Sequence, residues 1–323
     1  MTRRTTLTVV AFVLLAAACG GSTKTDITVG TKKTDTSLSA EMAGYDLIAN
    51  RAGRFLVGVF SNDNEHLLGY GNVQLRFTYL GTKAAAVNVN RPAMATTAGF
   101  LPIPGQELES ATTPRLVAAS QAIGVYGAPS VTFDKPGFWQ VNITAATATR
   151  TLGAEASFEV DATSPLPGPG AHAPASRQPL AGAPGVSPTA IDSRAGGGEA
   201  IPDPELHNIT IADALAAHRP MMIVISTPTY CQSRFCGPIT DAVAALAKKH
   251  PGPIAFIHLE IWKDFDKGLI NDAAAQWIAP PGTADAREPW VFTVGRDGII
   301  RQRFDNVASE KELAAAVEDL LHS

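Results

Sequence analysis

With 323 residues the chain has room for about two domains of ~150 residues each, and a hydrophobic content of 45% is that of globular protein, which excludes a fibrous or wholly disordered chain. Its formal charge of -4 comes from 30 acidic and 26 basic residues with no long run of either sign. Nothing in that pattern tracks a nucleic-acid backbone, and nucleic acid is not an expected partner.

The first elements predict export. Arg3 and Arg4 make a short basic region, and an apolar stretch runs from Leu7 to Ala18 before Cys19. That stretch falls short of the ~20 apolar residues a membrane-crossing helix needs, so a cleaved signal over residues 1–19 is expected. Leu14-Leu15-Ala16-Ala17-Ala18-Cys19 resembles the lipobox of bacterial lipoproteins, with Ala16 where the best lipoboxes carry Leu and Leu15 one place further back. The resemblance implies a diacylglycerol on the Cys19 thiol and a chain held by lipid on the extracytoplasmic face of the cell membrane. The alternative is an ordinary secretory signal whose cleavage site includes a cysteine. Residues 20–40 carry almost no large apolar side chains to offset the entropy of ordering, and predict a flexible tether.

Residues 41–162 read as β. Phe55, Val57 and Val59, then Val73, Leu75, Phe77 and Tyr79, then Trp139, Val141 and Ile143, then Ala156, Phe158 and Val160 recur at the two-residue period that lines one face of a strand. Turn signals at Asn62-Asp63-Asn64, Gly69-Tyr70-Gly71 and Asp134-Lys135-Pro136-Gly137 separate the runs. Short strands so punctuated predict an antiparallel sandwich. The run from Phe133 to Val141, with an aromatic after Pro-Gly, resembles a hairpin of bacterial immunoglobulin-like domains, and the resemblance implies that fold, with Trp139 in its core. Residues 163–204 are dense in Pro, Gly, Ala and Ser and predict a mobile linker.

From residue 205 to 323 strands and helices alternate. Helices are expected at Ile211 to His218, Ile239 to Lys249, Asn271 to Ile278 and Glu310 to Leu321, and strands at Met221 to Ser226, Ile254 to Ile261, Trp290 to Val294 and Ile299 to Phe304. Alternation of this kind predicts an α/β layer fold.

The chemistry concentrates in Tyr230-Cys231-Gln232-Ser233-Arg234-Phe235-Cys236-Gly237-Pro238, between a strand and a helix. A thiol at a helix N-terminus meets the positive end of the dipole and unpaired backbone N–H groups, both of which favour the thiolate. Of three cysteines Cys19 is assigned to lipid, leaving Cys231 and Cys236 as a pair in an oxidising compartment. The Phe-Cys-Gly-Pro step and Glu288-Pro289-Trp290 together resemble thioredoxin-like proteins. The resemblance implies that fold for residues 205–323, Cys236 as nucleophile and Pro289 as a cis-proline facing it. The sequence departs from that family where a resolving cysteine is expected, because Ile239 stands there, and the partner is Cys231 upstream.

Three readings of the pair stay open. It is a redox disulfide exchanging with exported protein thiols or disulfides, a structural staple in a non-catalytic interaction lipoprotein, or a copper site like that of Sco-type chaperones with His258 as distant ligand. Lone His258 reads more simply as a packed or edge residue, Arg234 as an exposed loop residue, and Asp241 and Asp272 as helix-terminal or solvated groups. No cofactor is expected, and no zinc spacing or catalytic triad stands out.

Overall fold

A computed structural model describes residues 37–83, 94–106, 110–231, 233–280 and 286–322. The expected signal peptide, Cys19 and nearly all of the expected tether lie outside the described residues.

Nine strands of the first half, β1 Leu38–Met42, β2 Ala52–Ser61, β3 His66–Gly69, β4 Asn72–Gly81, β5 Met94–Pro102, β6 Arg115–Ala118, β7 Gly124–Thr132, β8 Gly137–Ala146 and β9 Thr151–Val160, form one antiparallel sheet. Its order is β6-β3-β2-β7-β5-β4-β8-β9, with β1 also paired to β2. The alternating residues supply its core, as the period-two pattern requires. Phe55 on β2 meets Phe77 on β4 at 4.8 Å between ring centroids and Phe158 on β9 at 5.2 Å. Strands far apart in hydrogen-bonding order therefore share one core, so the sheet curls back on itself.

The second half carries a four-stranded sheet, β11-β10-β14-β15, made of β10 Met221–Ser226, β11 Ala255–Glu260, β14 Trp290–Val294 and β15 Ile300–Asp305. β10 runs parallel to β11 and antiparallel to β14, and β15 is antiparallel to β14. Helices α2 Cys236–Lys249 and α4 Glu310–Leu321 cover one face through Val243, Leu313 and Val317. The shorter α1 Ile211–Ala216 and α3 Asp272–Ile278 cover the other through Ala214 and Trp277. Thr210 caps α1, and Ser309 with Glu312 closes a capping box on α4. A small hairpin, β12 Trp262–Asp264 and β13 Leu269–Ile270, follows β11.

Two expectations are corrected. An immunoglobulin-like sandwich followed by a thioredoxin-like α/β domain is not the architecture: one nine-stranded antiparallel sheet dominates, and helices are few and short. Alternation reports which face of a strand is buried, and does not tell two stacked sheets from one that rolls over its own core. The second correction concerns residues 163–204, expected to be mobile. They lie strapped along the smaller sheet. Gly170 N–H donates to Ile300 O at 2.9 Å and Ile300 N–H to Ala171 O at 2.9 Å, extending the edge beside β15, and Trp277 Nε1 donates to Ser176 Oγ at 2.9 Å. Composition excludes regular structure here, but a neighbouring strand edge satisfies the backbone without it.

Polar contacts lock the sheets together. Arg54 on β2 reaches Glu312 at 3.1 Å and donates to Val307 O at 2.6 Å, Arg303 pairs with Asp46 at 2.6 Å, and the Tyr45 hydroxyl donates to Glu288 O at 2.6 Å. No helix among the described residues is long and apolar enough to cross a membrane.

Candidate functional site

The carboxyl ends of β10 and β11, the start of α2 and the approach to β14 meet at one edge of the smaller sheet. Loops leaving strand ends gather side chains there without breaking the ladder, which is why open α/β sheets bind ligands at that edge. β10 ends at buried Ser226, whose hydroxyl lies 2.7 Å from Thr240 Oγ1, and Thr240 in turn donates to Cys236 O at 2.8 Å. The first turn of α2 is thereby fixed to the strand that precedes it.

Cys231 and Cys236 are joined in a disulfide with Cα atoms 6.0 Å apart. They differ in access, since Cys236, the first residue of α2, is fully buried and Cys231 is half-buried. No side chain caps α2 at Phe235, and Cys236 is the first residue at the positive end of that 14-residue helix. Ser233 Oγ lies 3.3 Å from Cys231 Sγ and accepts from Phe235 N–H at 3.4 Å, so its hydroxyl proton is aimed at that sulfur. Exposed Arg234 turns the loop through φ of 64°, a left-handed conformation that costs an ordinary residue about 1–2 kcal/mol and holds the ring tight. Gln232 lies outside the described residues.

Pro289 follows a cis peptide bond after Glu288, just before β14. The Glu288 carboxylate lies within 4.8 Å of both sulfurs. Burial, with the charge of Glu260 as a second cause, pushes its pKa up to about 7. Glu260, at the end of β11, is itself buried, accepts from Ser193 N–H at 2.8 Å and from Ile261 N–H at 3.0 Å, and is also raised by burial. Beside the disulfide, then, stands a carboxyl that exchanges a proton near neutral pH.

The strap takes part in this edge. Ser193 Oγ accepts from Thr229 N–H at 3.1 Å, two residues before Cys231. Asp192 accepts from Arg194 at 2.7 and 3.0 Å, and Arg194 also reaches Asp203 at 3.1 Å and Asp241 at 3.0 Å. His258 is buried, with Nδ1 3.3 Å from Asp192 Oδ2 and Nε2 3.3 Å from the Ser226 carbonyl. Asp272 opens α3.

Sequence reasoning brought Cys231, Cys236 and Pro289 to this place but missed Glu288, Glu260, Asp192 and Ser193. The signal for Glu260 was available: His258 and Glu260 are the only polar residues in the run from Ile254 to Ile261. Two residues apart in a strand, they share a face that has every reason to be apolar.

Next to Cys231, Tyr230 stacks on Phe265 at 3.9 Å between ring centroids, and Trp262 meets the same ring edge-on at 5.4 Å. Phe265 is 43% exposed and Leu269 47%, which makes the β12–β13 hairpin an apolar ledge beside half-buried Cys231. A separate cleft of about 350 Å³ opens between the two sheets, lined by Arg51, Arg54, Arg303 and Asp305. Its guanidinium groups are already engaged by Pro169 O, Glu312 and Asp46.

No protein family's model matches the chain, and no curated protein does. Among solved structures, the crystal structure of BslA, described as a bacterial hydrophobin, is similar over 40% of this chain and 95% of that one, at 13% identity and a TM-score of 0.22. So low a score carries no weight for fold or function, and the chain is placed in no family.

Proposed function

We propose that the chain is a thiol–disulfide exchange protein, held by a lipid on Cys19 at the extracytoplasmic face of the cell membrane, acting on exported protein thiols or disulfides. The observation that carries the reading is the asymmetry of the disulfide: one sulfur half-buried beside an apolar ledge, the other sealed at a helix start with a carboxyl of pKa about 7 within 4.8 Å.

The roles follow from access and reverse the expectation for Cys236. A substrate thiolate attacks Cys231 Sγ, the Cys231–Cys236 bond breaks, and the electron pair leaves on Cys236 Sγ. The N-terminus of α2 stabilises that thiolate and Glu288 hands it a proton. A second substrate thiolate then attacks the substrate sulfur of the mixed disulfide, releasing the substrate as a disulfide and Cys231 as a thiolate. In the reverse direction Cys231 attacks a substrate disulfide, Glu288 takes the proton from Cys236, and Cys236 resolves the mixed species. Ser233 donates to Cys231 whenever that sulfur is anionic. Pro289, joined to Glu288 by the cis bond, acts as a positioning residue for that carboxyl, and the ledge of Tyr230, Phe265 and Leu269 receives an apolar stretch of the substrate polypeptide.

Trapping tests the assignment. A Cys236→Ser chain is expected to accumulate mixed disulfides with exported proteins through Cys231, whereas Cys231→Ser accumulates none. A potential above about -300 mV against glutathione is expected as well. A lower potential together with no trapped species overturns the proposal and leaves a structural staple in an interaction lipoprotein.

A further inference from the structure

Behind the disulfide, three buried side chains from distant parts of the chain converge. Asp192 comes from the strap, His207 follows the 3-10 turn Pro204–Leu206, and His258 sits on β11. Their side chains are 0%, 1% and 0% exposed. Asp192 Oδ2 lies 3.4 Å from His207 Nε2 and 3.3 Å from His258 Nδ1, and the three donor atoms fall within 4.8 Å of one another.

A hydrogen-bonded ion pair explains these separations poorly. Charge-assisted N–H···O contacts run at about 2.7–2.9 Å, and the same carboxylate accepts from Arg194 Nη2 at 2.7 Å while standing off both imidazoles. Neither His207 Nε2 nor His258 Nδ1 makes a hydrogen bond among the described residues, although both are buried. His258 Nε2 lies 3.3 Å from the Ser226 carbonyl, which only accepts, so that nitrogen carries the proton. In the neutral ring Nδ1 is then a bare lone pair, aimed at a carboxylate. The His258 lone pair, the unbonded His207 Nε2 and the carboxylate are left facing one centre.

That set is what a cation requires. Zinc bonds to imidazole nitrogen and carboxylate oxygen are about 2.0–2.2 Å, and a tetrahedron of such bonds has edges of about 3.3–3.5 Å, which the two Asp192–imidazole separations match. The proton on His258 Nε2, bonded to a backbone carbonyl, is the outer-shell arrangement that fixes a ligating imidazole. Charge balance agrees. Asp192, Asp203 and Asp241 converge on Arg194, with Lys248 on Asp203 the other cation, so the pocket keeps a net negative charge before any ion enters.

We propose that Asp192, His207 and His258 form a buried binding site for one divalent transition ion of the zinc class, bolting the strap to β11. The site is separate from the thiol pair, and the inference does not depend on the exchange chemistry. Three protein donors leave one position for a small ligand such as water.

The test is to unfold the full chain in chelator, refold it with one equivalent of Zn²⁺ or Co²⁺, desalt it, and measure bound metal by mass spectrometry and, for Co²⁺, the visible spectrum. The wild-type chain and the Cys231→Ser/Cys236→Ser double variant are both expected to retain one equivalent, with Co²⁺ bands of nitrogen and oxygen ligation and a higher Tm than the metal-free chain. His258→Gln and His207→Gln are expected to lose affinity by more than the 10–100-fold typical of outer-shell partners. Should those variants not fold, the wild-type measurement decides alone: a folded wild-type chain with no retained metal and an unchanged Tm overturns the site. So does full retention by a folded His207→Gln/His258→Gln chain, or loss of metal from the double cysteine variant.

Discussion

Replacing Glu288 by Gln separates the proton role of this side chain from its shape. In the folded chain its carboxyl titrates at about 7, against 4.5 as a free group. The folded state therefore binds more protons than the unfolded one between those values. The stability that accompanies the protonated carboxyl is fully present below about pH 4.5 and is lost as pH rises through about 7. The gap corresponds to about 3.4 kcal/mol at 1.36 kcal/mol per pH unit, which solvent screening of a part-exposed group reduces to about 2 kcal/mol. Urea unfolding at pH 5 and pH 8, with the disulfide intact, is expected to show the wild-type chain losing about 2 kcal/mol more than Glu288→Gln over that interval. The same substitution removes the inflection near pH 7 from the rate at which a small thiol opens the disulfide, because Cys236 no longer has an acid beside it. Identical pH dependence of stability in the two chains, or an unchanged rate profile, refutes the reasoning.

Other outcomes follow from the contacts described. Closing a ring this short is worth about 2 kcal/mol in chain entropy, so reducing Cys231–Cys236 lowers unfolding stability by about that much in a denaturant titration; a drop above about 4 kcal/mol marks a structural staple instead. Arg54→Ala removes the partner of Glu312 between the sheets and is expected to cost about 2–4 kcal/mol, read from the urea midpoint. If the strap is bound down, the amides of Gly170, Ala173 and Ile300 exchange slowly and residues 163–204 resist brief proteolysis, whereas Ser176→Ala weakens the chain by about 1–2 kcal/mol by orphaning Trp277 Nε1. Fast exchange at those amides returns the segment to a mobile linker.

Much of the local structure was legible. The unbroken apolar run Met221 to Ile225 and the cap residues Thr210 and Ser309 mark their elements without help from tertiary contacts. α2 starts three residues earlier than its periodicity announces, because Gly237 and Pro238 look like loop although the first helical turn needs neither side-chain propensity nor the proline's missing N–H. In the larger sheet, alternation marks β2, β4, β8 and β9 but not the other five strands, β1 among them starting inside the expected tether, and nothing in an alternating pattern says which strand pairs with which. The site divides the same way. Cysteines and Pro289 announce themselves by type, while Glu288 becomes chemically special only through its burial and its distance from Glu260. Asp192 and Ser193 were hidden by the composition of their surroundings, which is that of an unstructured segment until the strand edge that receives it is known.

The strap also bears on how far this protein can reach. Some forty residues paid out at about 3.3 Å each would span on the order of 130 Å and let the disulfide roam over a wide shell. Laid down along β15 and pinned at Ser193, they fix the sulfurs at a set height and heading relative to the larger sheet. The larger sheet thus carries the disulfide at a fixed offset and not on a free leash.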